Sequence, residues 1–363
     1  MILVGGQGTR LRPLTSTLPK PVVRLVDRPF IAFMLEWLVA HGVDNVIMSC
    51  GFLADGVRSV LGDGSRLGIR LRFVEEPDPR GTAGALKLAE PMLDERFLML
   101  NGDVLTDIDL TAQIAQHETT GATGTLALVP VEDPSAYGLV ILEEDRSVRA
   151  FLEKPNAENL ESNLISAGAY VLQREILELI APDRNVSIER EIWPLLVGNG
   201  LYGFVSDGYW LDIGTPERYL QGTFDILEGN VHSAVRERLG SDWLVVDEDA
   251  DVHGRVIAPA VIERGVSVAQ GAHVGALVVL AENVSVGPGS SVERAVVLEG
   301  AQIGEGCELR DCIVGGGCRV GAGTKITDGA VLGDGVSVGA HNVITRGARI
   351  FPGVKLPDGA IQF

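Results

Sequence analysis

Positive charge is scarce in this chain. Across 363 residues, 30 Lys and Arg face 49 Asp and Glu, a formal net charge of −19. A surface that acidic repels a polyphosphate backbone, which excludes nucleic acid as a partner. Cysteine is scarce too: Cys50, Cys307, Cys312 and Cys318 form no CxxC pair and have no His at metal-ligand spacing. They read as small buried hydrophobes of a reducing compartment, neither a disulfide framework nor a thiolate metal site. No apolar run reaches the length of a membrane span, and no charged-then-apolar leader precedes the first apolar segment. A cytoplasmic protein without a membrane partner is expected. Gly-Lys-Ser/Thr does not follow the N-terminal glycines, and GxGxxG spacing is missing, so a Walker loop and a dinucleotide fingerprint are both excluded.

What is present begins four residues in, with Gly5-Gly6-Gln7-Gly8-Thr9-Arg10-Leu11-Arg12-Pro13-Leu14-Thr15, followed by Lys20-Pro21. Met1 to Val4 reads as a first strand carrying Leu3, so the glycines sit at its carboxyl end, where open α/β sheets bind ligands. Glycines there let backbone N–H groups approach an oligophosphate. Arg10 adds a planar fork and Lys20 a point charge beside it. Up to about Asn230, short apolar runs alternate with helical patterns: Asn45–Ser49, Arg70–Glu75 and Arg96–Leu100 as strands, and helices after Pro29, after Thr82 and from Thr215-Pro216 onward. Strand and helix in repetition predict a doubly wound, Rossmann-like, mostly parallel sheet.

After Trp243 the period becomes six. Val256, Ile262, Val268, Val274, Leu280, Val286, Val292 and Leu298 hold one phase, which slips at Ile303 and Val314. It resumes through Val320, Ile326, Leu332, Val338, Ile344, Ile350 and Leu356. Turn glycines such as Gly265, Gly271, Gly323 and Gly347 lie three residues after many anchors. A six-residue period suits neither an amphipathic helix nor a lone strand. It fits a β-solenoid in which each hexad forms one side and a turn. The pattern resembles the left-handed parallel β-helix of hexapeptide-repeat proteins, and that resemblance supplies the handedness. The expected organisation is a catalytic domain over 1–230, a linker over 231–250 and the β-helix over 251–363. Val279, Val297 and Val331, each just before an anchor, are expected to face outward as wet apolar surface, which predicts a homo-oligomer.

The glycine-rich segment with Thr-Arg-Leu, Pro-Leu-Thr and Lys-Pro resembles the signature of the sugar-1-phosphate nucleotidyltransferases. Relatives carry a few more residues ahead of the glycine pair, which implies a short first strand here. Asn101-Gly102-Asp103 and Trp210-Leu211-Asp212-Ile213-Gly214-Thr215-Pro216 match that family's two metal-binding aspartates. The resemblance therefore implies magnesium on Asp103 and Asp212; read alone, Asp103 could equally cap a turn or helix, and Asp212 reads first as a structural cap. Glu75-Glu76-Pro77 with Gly81-Thr82-Ala83-Gly84 is where relatives set the nucleobase. Leu3, Gly5, Gly6, Gly8, Thr9, Arg10, Glu76, Gly81, Thr82, Asn101 and Gly102 are thus the implied nucleotide contacts. In relatives the stretch matching Glu153-Lys154-Pro155 supplies a lysine for the sugar phosphate and a glutamate for sugar hydroxyls; read alone, Glu-Lys-Pro is a common surface turn. Ser166-Ala167-Gly168 stands where relatives show Asn-Ala-Gly, so Ser166 is a departure, with Gly168 kept.

The motif set looks most like the mannose-1-phosphate guanylyltransferase type. That implies GTP and a sugar 1-phosphate as substrates, with Arg10, Lys20, Asp103, Lys154 and Asp212 carrying the reaction. The Pro-Asp-Gly-Leu-Ala-Gln stretch of thymidylyltransferases is absent. UTP or dTTP with glucose 1-phosphate remains the nearest alternative. A silent nucleotide-sugar sensor would alter the loop or the aspartates, which are all present. An acyltransferase would need a catalytic His in a loop insertion, but His253, His273 and His341 lie within regular repeats.

Overall fold

Aliphatic runs bounded by turn residues become the strands of the first half. In a computed structural model, which describes residues 1–51, 54–156 and 160–362, the chain divides into two units. One comprises Met1–Gly6 and Ile31–Asp212, the other Gln7–Phe30 and Ile213–Phe363.

The first unit is built on a sheet. Its elements are β1 (Ile2–Leu3), α1 (Phe30–Ala40, nearly all in this unit), β2 (Asn45–Cys50), α2 (Ala54–Leu61), β3 (Arg70–Glu75), α3 (Gly81–Leu88), β4 (Arg96–Asn101), β5 (Val104–Thr106), α4 (Leu110–Thr120), β6 (Gly124–Pro130), β7 (Gly138–Leu142), β8 (Val148–Glu153), β9 (Leu164–Gln173), β10 (Leu201–Val205) and β11 (Trp210–Asp212). The parallel core runs β3-β2-β1-β4. Val46 through Cys50 of β2 are all buried, as expected of a parallel strand covered on both faces. Beyond β4 the sheet continues through antiparallel β9, which also pairs with β6 and β7, while β10 joins β6 in parallel. The sequence reading did not resolve this antiparallel half. The β9–β6 register shifts between Ser166 and Tyr170, where Gly168 adopts φ +74°. The Ser166-Ala167-Gly168 stretch is therefore a bulge, a device that re-aims side chains.

The second unit contains α5 (Pro216–Leu227), α6 (Ala234–Leu239) and the solenoid. Thr215 caps α5, its side chain accepting from Arg218 N, with Pro216 in the first turn. Solenoid strands stack in parallel on three sides and fit the left-handed β-helix. Val268, Val274, Leu280, Val286, Val292, Ile326 and Leu332 pack in one continuous interior. Within residues 231–250 lie α6 and the strand Leu244–Val246, which pairs with Ala260–Ile262.

Two expectations about this interior are corrected. Val297, not Leu298, is the inward anchor, so the first phase slip falls one hexad earlier. The cause is a corner without glycine. The strand Ser291–Val297 turns at Arg294 (φ +47°), and Glu308–Val314 repeats the turn at Asp311 (φ +47°), each corner one residue short. The two corners stack, Arg294 Nε donating to Asp311 Oδ1 at 2.6 Å. Second, Val279 and Val331 do face outward, but like Val297 they are fully buried. They belong to a column of register partners, Val261, Val279, Val296, Ile313 and Val331. Helix α5 packs on this side, with Arg294 over the Phe224 ring at 4.7 Å. The wet apolar surface on which a homo-oligomer was expected is absent at these positions. Outward positions of a second side are Ser267, Ser285, Gln302, Arg319 and Ser337, polar throughout.

Candidate active site

In the first unit the candidate residues gather at the carboxyl ends of β1, β2 and β4. Leu3 pairs with Ser49 and with Asn101. Gly102 N donates to Leu3 O at 2.9 Å, and a Cβ on Gly102 would stand 2.5 Å from Val4 Cγ1, so the close approach of these chains demands glycine. Ser49 Oγ donates to Glu76 Oε1 at 3.0 Å, and Glu76 Oε2 accepts from Arg80 N at 3.2 Å. A Cβ on Gly5 would lie 3.2 Å from that Oε1. Glu76 thus braces the turn leading into α3 beside Gly5. Gly81 opens α3 at φ +68°, where a Cβ would meet Val186 O at 2.6 Å. At Gly6 a Cβ would meet no atom of the described residues within 4 Å.

Asp103 follows β4 after Gly102 and immediately precedes β5. The antiparallel pairing of β11 with β5 sets Asp212 opposite Val104, the next residue. Two half-buried carboxylates, 109 positions apart in sequence by their residue numbers, are thereby brought together at the end of one ladder. Among the described residues there is no group of three or more His, Cys, Asp or Glu that could hold a metal. A pair of hard oxygen donors is nonetheless what magnesium takes from a protein when substrate phosphates and water complete its shell. The donor set fits that ion.

A second set of residues converges beside them. Lys154 sits in the left-handed region (φ +50°), held by its N–H to Tyr137 O at 3.0 Å, with its side chain largely exposed. Tyr137 meets Trp210 edge to face at 5.3 Å, and Trp210 Nε1 donates to Ala167 O at 2.8 Å. Gly168 packs on Asn101: a Cβ there would be 2.7 Å from Asn101 Nδ2. Ser166 Oγ and Tyr170 Oη are 3.0 Å apart. Burial, and then the neighbouring Glu189, holds the Glu153 carboxyl above its ordinary range. Burial also pushes the Tyr170 hydroxyl well up, with Glu189, Glu153 and Asp103 adding to the effect.

Glu189 was missed by sequence reasoning. It lies in the wide helical turn Ile188–Ile192, where its Oε2 accepts from Thr82 Oγ1 at 2.9 Å and Ser187 Oγ at 2.6 Å. Thr82 in turn accepts from Ile188 N at 2.8 Å, so its hydroxyl ties α3 to this turn. The available signal was weak, because Ser187-Ile188-Glu189-Arg190 reads as an ordinary helix start.

The second unit holds the rest of the signature. Gly8 is left-handed (φ +60°), and a Cβ on it would crowd Lys20 Cβ at 3.1 Å and Thr15 Cγ2 at 3.2 Å. Thr15 Oγ1 donates to Gly8 O at 2.7 Å. The turn Thr9–Leu11 follows, anchored by buried Leu11, with Arg10 exposed and Lys20 buried. Elsewhere, a cavity of about 310 Å³ opens at the amino ends of β1, β2 and β4, lined by Asn45, Arg72 and Arg96. None of the candidate residues lines it.

A Nucleotidyl transferase family model matches residues 1–229, and a GMPPB C-terminal domain model matches residues 256–359. A mannose-1-phosphate guanylyltransferase of Mycobacterium tuberculosis is 36% identical over 368 residues, covering 100% of this chain and 97% of that protein. A mannose-1-phosphate guanyltransferase of Gibberella zeae is 33% identical over 359 residues, covering 97% and 95%. Among solved structures, HddC from Yersinia pseudotuberculosis complexed with GMP-PN matches with TM-score 0.54 and 28% identity, over 62% of this chain and 97% of that one.

Proposed function

The chain belongs to the nucleotidyl transferase family, and we propose that it makes GDP-mannose and pyrophosphate from GTP and mannose 1-phosphate. Full-length similarity to mannose-1-phosphate guanylyltransferases supports this choice of substrates. The observation that carries the chemistry is the β5–β11 register, which makes Asp103 and Asp212 neighbours beside the glycine turn.

An oxygen of the sugar phosphate attacks the α-phosphorus in line, and pyrophosphate leaves opposite. The attacking phosphate is already ionised, so no residue need act as base or nucleophile. The work of the protein is to position the two reactants and to neutralise charge. Amides at Gly5, Gly6 and Gly8 with the Arg10 guanidinium hold the triphosphate. Gly6 has open space where a side chain would stand, as backbone approach by a ligand requires. Lys20 and Lys154 offset charge at the α-phosphate and the sugar phosphate. Asp103 and Asp212 would hold magnesium, which when bound would supply positive charge against the phosphate oxygens. Glu153 takes sugar hydroxyls. Ser166 and Gly168 shape the wall behind the sugar, and Glu76, Gly81 and Thr82 frame the base. Cytoplasmic location fits four buried, unbridged cysteines. Among the described residues no helix is long and apolar enough to cross a membrane.

Pyrophosphate release across a matrix of GTP, UTP, dTTP and ATP against mannose and glucose 1-phosphates tests the reading. GTP with mannose 1-phosphate should exceed every other pair in kcat/KM by about tenfold or more. A stronger signal from UTP or dTTP with glucose 1-phosphate would refute the assignment.

A further inference from the structure

The outward apolar column of the solenoid ends in a charge. Val331 pairs with Arg349, so Arg349 occupies the next outward position after Val261, Val279, Val296, Ile313 and Val331. Its Nη1 donates to Arg10 O at 2.9 Å and to Arg12 O at 3.3 Å, and Nη2 lies 3.6 Å from Glu217 Oε1 at the start of α5. One rung away, Thr17 Oγ1 donates to Asp334 Oδ2 at 3.3 Å. Two side chains of the solenoid therefore grip residues 10–17 of the signature.

The grip of Arg349 falls on main-chain atoms. The peptide joining Arg10 to Leu11 is held at both ends: Leu11 N donates to Gly8 O at 3.0 Å, and Arg10 O accepts from Arg349. The preceding peptide, which joins Thr9 to Arg10, is held through Thr9 O, which accepts from Arg12 N at 3.3 Å. With both flanking peptides fixed, the direction in which the Arg10 side chain leaves the backbone is fixed as well. A planar guanidinium with several donors can span two carbonyls and a carboxylate together, which a lysine ammonium on its flexible stem cannot do with the same geometry.

The geometry points to Arg349 as a positioning residue for the nucleotide: the solenoid, through this side chain, holds Arg10 in the orientation that receives the triphosphate. The inference rests on the nucleotidyltransferase reading of the site. It gives the C-terminal repeats a part in substrate binding although they supply no group to the chemistry.

Steady-state kinetics and calorimetry on the full chain test it, using GTP and mannose 1-phosphate. Arg349→Ala and Arg349→Gln should each raise the GTP KM and Kd about tenfold, the scale of losing hydrogen bonds from a charged group. The mannose 1-phosphate KM should stay within about twofold, since that substrate's residues lie in other motifs. Arg349→Lys should fall between wild type and Arg349→Ala. A GTP Kd within twofold of wild type in both neutral variants overturns the inference. So does an equal rise in both substrates' KM alongside a lower Tm, which is what a merely structural role produces. Full recovery in Arg349→Lys also overturns it, because charge alone would then suffice. If the wild-type chain itself turns over no GTP with any sugar phosphate, the failure lies with the functional reading instead.

Discussion

Ile313→Ala asks whether the apolar column of the solenoid is covered by its own chain in solution. Ile313 points out of the solenoid, where a side chain would ordinarily be wet and dispensable, yet it is fully buried. The substitution deletes three carbons. At about 0.8 kcal/mol per buried methylene the transfer loss is roughly 2.4 kcal/mol. The cavity left beneath α5 adds to that, and buried Ile→Ala changes span about 2–5 kcal/mol. We expect about 3 kcal/mol, a fall in Tm of roughly 6–12 °C at about 2–4 °C per kcal/mol. Ser337→Ala, outward on the polar side, is the control and should change stability by no more than about 0.5 kcal/mol. Thermal unfolding by circular dichroism, repeated over a tenfold range of protein concentration, reads the result. A loss below about 1 kcal/mol, matching the control, would refute the intramolecular cover. A Tm that climbs with concentration would refute it too, by showing that another copy covers the column.

Two further outcomes follow from the same geometry. Asp103→Asn and Asp212→Asn should each cut pyrophosphate release about a hundredfold or more while the fold persists, as expected for removing a ligand where charge develops; near-wild-type release at saturating magnesium would sink the pair. His117 is buried, its Nε2 2.9 Å from Gln173 Nε2 and its Nδ1 2.9 Å from Thr125 Oγ1. With the amide nitrogen donating, Nε2 accepts and Nδ1–H donates, so the ring is neutral. Burial, with Arg96 adding to it, holds its pKa below the ordinary 6.5. The unfolded chain then binds more protons than the folded one between those two values, so stability is full above about pH 6.5 and is lost as pH falls through the folded pKa. Equilibrium urea unfolding from pH 7.5 downward should show that loss and show it flattened in His117→Gln; an unchanged slope would remove His117 as its source.

Much of the first unit was legible because local signals agreed with tertiary placement. Val46–Cys50 is an unbroken apolar run, and it became a strand buried on both faces. In the second unit Thr215-Pro216 announced a cap and a first turn, and both formed. The antiparallel half from Gly124 to Gln173 was opaque for a physical reason. Its strands are buried too, so Leu126–Val129 and Ala167–Leu172 show no alternation to reveal direction or partner. In the solenoid the phase slip was hidden because Val296, Val297 and Leu298 are all apolar. A pattern that asks for one apolar position accepts any of the three, and the corner that decides is a left-handed Arg294 where glycine is the usual signal. The site divided along similar lines. Each motif was recognisable on its own, whereas the approach of Glu189 to Thr82 and Glu153 depends on chain crossings that no local pattern encodes.

The period that sorts the outward positions is not six but the full coil. Ladder partners on the apolar side are 18 residues apart from Val261 to Val279, 17 from Val279 to Val296 and from Val296 to Ile313, and 18 again to Val331 and Arg349. Sorted by hexad, outward positions are a mixture that says little. Sorted by coil, one side is apolar and another carries Ser267, Ser285, Gln302, Arg319 and Ser337. A side that is apolar on its outer face must be covered, and here the cover comes from α5 of the same chain. Continuing the same column by one coil leads from Val331 to Arg349, where aliphatic contact gives way to hydrogen bonds on the carbonyls of Arg10 and Arg12. An aliphatic side chain could not meet those oxygens without stranding them, and a guanidinium can. The change of residue type along one column therefore follows the change in what the column meets, from a helix to the turn that carries Arg10.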